Sequence, residues 1–147
     1  MIGLVVNPVA GLGGAVGLKG TDGLVEEALA RGAVPRASDR AAAAIAALPA
    51  DVPVATAAGA MGEDALQRAG RTPALLVPGG ALTTTADDTR QAVRALADAG
   101  VELLLFAGGD GTARDVCAAV GDATPALGIP AGVKIQSAAF AESPRRG

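Results

Sequence analysis

A short apolar run, Leu103 to Ala107, stops abruptly in Gly108-Gly109-Asp110-Gly111-Thr112, and helix-forming sequence follows from Ala113 to Val120. An apolar run of this length bounded by glycines reads as a strand buried on both faces, which is the habit of parallel sheets. The glycines let the backbone turn tightly and let a ligand reach main-chain N–H groups without a Cβ in the way. The helix after them aims its first N–H groups and its positive dipole end at the same spot, which suits an anion. Asp110 is the odd member. A carboxylate does not belong in a plain phosphate cradle, and beside bound phosphates it points to a proton acceptor or a metal partner.

The rest of the chain repeats that strand-to-helix rhythm. Ile2–Val6 reads as a first strand, followed by a long glycine-rich loop through Gly23. Helices are predicted at Leu24–Arg31 with Thr21 or Asp22 as cap, at Asp39–Leu48 capped by Ser38, at Met61–Ala69 and at Asp87–Ala99. Strands are predicted at Pro53–Thr56, Ala74–Val77, Glu102–Ala107 and Ala126–Ile129. Strands alternating with helices predict a parallel α/β sheet whose ligand loops sit at the strands' C-terminal ends. The 147 residues are one domain's worth of chain.

Composition removes several chemistries. No histidine occurs, which excludes Ser-His and Cys-His catalysis and most zinc sites. The net charge of −3 supplies no basic field, and Phe106 and Phe140 are the only aromatics, so a nucleic-acid role is not expected. The single cysteine, Cys117, rules out an internal disulfide and fits a reducing cytoplasm. It reads as a small core residue on an Ala/Val-rich helix face. No stretch has the length and apolarity of a membrane span, and the N-terminus lacks the basic flank of a signal peptide. Small-molecule nucleotides are the expected partners, with no nucleic acid and no membrane; a homo-oligomer is left open.

Gly108-Gly109-Asp110-Gly111-Thr112 resembles the signature of the NAD kinase superfamily, which also includes diacylglycerol and sphingosine kinases. Further segments resemble its ATP-NAD kinase and AcoX-like branch. They are Val6-Asn7-Pro8 with Gly11-Leu12-Gly13-Gly14, the Gly17-to-Gly23 stretch, Thr85-Ala86-Asp87-Asp88-Thr89, and Gly128-Ile129-Pro130 leading to Lys134. The resemblance spans Ile2 to about Ala141 and implies a three-layer parallel-sheet domain. The resembled kinases carry a second, β-rich domain after the Gly128 region, which supplies much of the NAD site. The expectation is therefore that residues 1–147 hold the N-terminal domain only.

What the resemblance implies is transfer of a phosphoryl group from ATP, or polyphosphate, to the 2′-hydroxyl of NAD, with Mg²⁺ neutralising the phosphates. Asp110 would be the catalytic base; the bland alternative is that Asp110 only caps the following helix. Asn7, Gly11, Gly13, Gly14, Lys19, Gly108, Gly109, Gly111, Thr112 and Lys134 would contact the nucleotide. For Gly108 to Thr112 the alternative is an ordinary strand-to-helix turn; for the Asn7 loop, a surface loop without ligand; for Lys134, a solvated lysine. Asp115 could help hold Mg²⁺, but a solvated helix position is the preferred reading. One of Thr83, Thr84 and Thr85 is expected to be an N-cap. Two rival functions remain: a lipid or small-alcohol kinase, and a non-catalytic nucleotide-binding accessory protein.

Overall fold

The computed structural model describes residues 1–10, 36–79 and 84–130. Strands β1 (Ile2–Val6), β2 (Val54–Ala57), β3 (Leu75–Val77), β4 (Leu103–Gly108) and β5 (Ala126–Pro130) form one sheet in the order β3-β2-β1-β4-β5, with every pairing parallel. Helices α1 (Ala37–Ala46) and α2 (Glu63–Arg68) lie on one face, and α3 (Ala86–Asp98) and α4 (Asp110–Val120) on the other. The architecture is the expected three-layer α/β fold.

Strand alternation builds the two cores. Leu4, Val6, Leu105, Ala107 and Ile129 face α1 and α2, while Val5, Leu104 and Phe106 face α3 and α4. Phe106 is fully enclosed. Because β1 and β4 are covered on both sides, their sequences run apolar without interruption. Thr56 is the polar exception within β2; its hydroxyl donates to the Leu4 carbonyl at 2.9 Å, so its burial leaves no unmet group.

Several element boundaries differ from the expectation. The helix predicted from Asp39 begins at Ala37, and Ser38 lies inside its first turn instead of capping it; Arg36 precedes it with no side-chain cap bond. The buried stripe Ala37, Ala41, Ala44 and Ile45 sets that start, outweighing the local capping preference. At the other end, Ala47 and Leu48 bond three residues back, to Ala44 and Ile45, so the last turn tightens out of the α-helix. The predicted Met61–Ala69 helix divides into a 3₁₀ turn, Gly59–Met61, and α2. Gly62 separates them at φ 150°, with Thr56 Oγ1 only 2.0 Å from where a Cβ would be, so no other residue fits the corner. The Leu24–Arg31 helix lies outside the described residues.

Helix α3 begins at Ala86, one residue before the predicted Asp87. Thr85 is its N-cap: its hydroxyl accepts from Asp88 N–H at 3.3 Å, and the Asp88 carboxylate accepts from Thr85 N–H at 2.8 Å, a reciprocal capping box. Among the described residues no helix is long and apolar enough to cross a membrane.

Since Phe106 fills the core under α3 and α4, Phe106→Ala is expected to cost about 3–5 kcal/mol of unfolding free energy. Urea denaturation checks this, and a loss below about 1 kcal/mol would show that the core is not packed as described.

Candidate functional site

The strand order changes direction at β1. From β1 the chain builds outward through β2 to β3, then crosses to the other side of β1 with β4 and β5. In such sheets ligands bind beyond the strands' C-terminal ends at the point of reversal, here between β1 and β4. Asn7 immediately follows β1, and Gly108 to Thr112 link β4 to α4. The two most suggestive stretches of the sequence therefore meet at the position where this topology places a ligand.

They meet through a side-chain hydrogen bond. Asn7 Nδ2 donates to Thr112 Oγ1 at 3.0 Å, across a separation of 105 residues. Asn7 N–H also continues the β1–β4 ladder by donating to Ala107 O at 2.9 Å. Its Oδ1 accepts from Val9 N–H at 3.2 Å, and its carbonyl accepts from Ala10 N–H at 3.1 Å. Asn7 thus ends the strand, shapes the turn that follows and holds the first turn of α4.

The helix begins earlier than the sequence suggested. Asp110 is its first residue, with Gly109 in the cap position and no side-chain cap bond. Asp110 therefore does not serve as the N-cap, which was its bland reading. The first intrahelical bond runs from Ala113 N–H to Gly109 O at 3.0 Å, so the N–H groups of Gly111 and Thr112 precede the ladder. Asp110 and Gly111 are half-buried, while Thr112 is 4% exposed.

The glycines of the turn fall into two kinds. A Cβ on Gly108 would stand 2.3 Å from Thr112 Oγ1 and 2.5 Å from its Cβ, so Gly108 exists to let Thr112 close over it. Among the described residues, a Cβ on Gly109 would meet nothing within 4 Å, and one on Gly111 only the end of the Arg114 side chain at 3.8 Å. Neither has positive φ. Among the described residues, packing accounts for Gly108 but not for Gly109 or Gly111.

Asp115 is not the solvated helix residue expected. It is a quarter exposed and accepts from Arg90 Nη1 at 3.0 Å; Arg90 also pairs with Asp87 on its own helix. The hydrogen bond to Asp87 is the main influence raising the Arg90 pKa above its ordinary value, against the opposing effect of desolvation, and Asp115 adds to the rise. The bridge ties α3 to α4 one turn below the glycine turn. The Asp87/Arg90 spacing was visible in the sequence, but their partner on the next helix was not. Cys117 is exposed, correcting the expectation of a core residue, because the buried stripe of α4 runs through Thr112, Ala113, Val116 and Val120.

Gly11, Gly13, Gly14, Lys19, Thr83 and Lys134 lie outside the described residues. A shallow cavity of about 480 Å³, lined partly by Asp51, Val52 and Arg71, opens at the opposite, N-terminal end of β2. Arg71 there reaches the carbonyls of Ile45, Ala50 and Val52 and closes the connection from α1 to β2. That pattern is structural, and the site is placed at the switch point instead.

The division among the glycines can be measured. Gly108→Ala is expected to destabilise by about 1–3 kcal/mol through overpacking against Thr112. Gly111→Ala, inside the helix with free space, is expected to stabilise by up to about 1 kcal/mol. Thermal unfolding of both variants checks the contrast, and equal effects would contradict the geometry.

A family model described as the ATP-NAD kinase N-terminal domain matches residues 2–146 of the chain. No curated protein and no solved structure matches it. With nearly the whole length matched, the chain belongs to the ATP-NAD kinase N-terminal domain family.

Proposed function

We propose that this domain supplies the phosphate turn and the base for transfer of the terminal phosphoryl group of ATP, or of polyphosphate, to the 2′-hydroxyl of NAD, giving NADP. One observation carries the reading. Asp110 sits at the first position of α4, beside the sheet's switch point, between Gly109 and Gly111, whose lack of a Cβ no packing among the described residues requires. A helical glycine without an internal steric reason weakens the helix, and close approach of a ligand to the main chain supplies the missing reason. Family membership adds the reaction class.

In this reading the α4 N-terminus draws the phosphates through its N–H groups and dipole. The Asp110 carboxylate takes the proton of the 2′-hydroxyl as its oxygen bonds to the γ-phosphorus, and the bond from that phosphorus to the ADP oxygen breaks. Phosphoryl transfer asks the protein mainly for positioning and charge stabilisation, which a helix terminus with a carboxylate at its first position can give. Among the described residues no three His, Cys, Asp or Glu side chains gather into a set able to hold a metal ion, and Asp115 is engaged by Arg90. In this reading Mg²⁺ would neutralise the phosphates as part of Mg·ATP. Small-molecule nucleotides in a reducing cytoplasm are the proposed partners and setting.

Two measurements test the proposal. With NADP formation from NAD and Mg·ATP as the assay, Asp110→Asn is expected to lower turnover by roughly 10²–10⁴-fold with the fold retained; unchanged turnover removes Asp110 from the chemistry. In calorimetric titration with Mg·ATP, Gly111→Ala is expected to weaken binding by at least about tenfold despite the more stable helix. Phosphorylation of diacylglycerol in place of NAD would overturn the assigned acceptor.

A further inference from the structure

We propose that Asn7 and Thr112 form an internal latch that holds the end of β1 against the glycine turn, and that they are positioning residues and not contacts to the nucleotide. The inference rests on the functional reading above and deepens it, because it reassigns two residues that the sequence placed among the ligand contacts.

The Thr112 hydroxyl is enclosed. Its oxygen accepts from Asn7 Nδ2, Gly108 is pressed against the side chain from below, and only 4% of the residue reaches solvent. With so little of the residue exposed, a phosphate oxygen has little access to that hydroxyl. Asn7 is equally committed: one side-chain atom holds Val9 N–H, the other holds Thr112, and both of its backbone groups are bonded. Pro8, Val9 and Ala10, which follow, are buried, so the turn after β1 has little freedom to move independently of Asn7. Among the described residues, no buried side-chain nitrogen or oxygen lacks a partner, and the latch contributes to that balance.

The physical role follows from the position of the bond. Backbone pairing fixes β1 to β4 only as far as Asn7 N–H and Ala107 O. Beyond that point the two chains diverge, one into the segment after Ala10 and the other into α4. The Asn7–Thr112 bond is the described side-chain tie between them beyond the ladder. It sets where the first turn of α4, and with it Asp110, stands relative to the strand ends. A ligand cradled by that turn would feel the loss of the latch through the placement of the N–H groups.

Asn7 is the sole asparagine of the chain, so selective ¹⁵N-asparagine labelling gives one side-chain amide signal to follow. Thr112→Val is expected to shift that signal toward that of a solvated asparagine, whereas Thr112→Ser should leave it nearly unchanged. In uniformly labelled protein, Asn7→Ala should in turn move the Gly109 and Gly111 amides across the gap. An Asn7 signal indifferent to Thr112→Val overturns the latch, whether or not any nucleotide binds. In Mg·ATP titration, Asn7→Ala and Thr112→Val should each weaken binding about tenfold, and the double variant should be scarcely worse than either. Additive losses in the double variant would mean that each residue meets the nucleotide separately and would overturn the positioning role. If wild-type protein shows the latch signals but takes up neither Mg·ATP nor NAD, the kinase reading fails while the latch stands on the spectra.

Discussion

The parallel ladder between β1 and β4 is the constraint on which the rest of the structure depends. It joins the first strand to a strand formed two-thirds of the way along the chain, through the pairs Ile2–Leu103 to Val6–Ala107. Every other strand is placed outward from this pair, and both helical layers pack on side chains these two strands alternate between. A ladder between strands so distant in sequence forms only after much conformational entropy has been surrendered. Apolar burial on both faces is what offsets that cost, which is why neither strand interrupts its apolar run.

The same ladder creates the site. Placing β4 beside β1, on the side away from β2, makes the switch point of the sheet at their C-terminal ends, where regular pairing stops. Backbone groups at such a place need partners. Asn7 supplies several of them, Thr112 and Gly108 interlock beneath, and the Arg90 bridge between Asp87 and Asp115 fixes the helix carrying Asp110 to its neighbour. Among the described residues nothing packs on Gly109, and Gly111 meets only the end of Arg114. The frame around Asp110 is thereby tied on several sides, the kind of positioning that the proposed phosphoryl transfer would use.

Much of this was legible in the residues. The strand run into Gly108, the apolar stripe of α3 and the Thr85 cap each rest on periodicity or a local hydrogen bond, and each appears close to where the sequence put it. Helix starts differ from the residue-type preference for one shared reason. Ser38 and Asp110 were both natural caps by residue type, yet each lies inside a helix, because buried neighbours decided where the first turn began. Cys117 was assigned to the core on composition, although a shift of one position along α4 moves a side chain by about 100° and out of the buried stripe.

By itself the sequence determined the class of fold, the alternation of strand and helix, and a glycine turn with a carboxylate in it, because these follow from contacts within a few residues. Only the tertiary structure decided which glycines of that turn are required by packing among the described residues and which are not. Gly108 and Gly111 are the same residue type, three positions apart in one motif, and nothing local distinguishes them. The difference arises because Thr112 folds back over Gly108 and is held there by Asn7, 105 residues distant along the chain and adjacent only once β1 and β4 have paired.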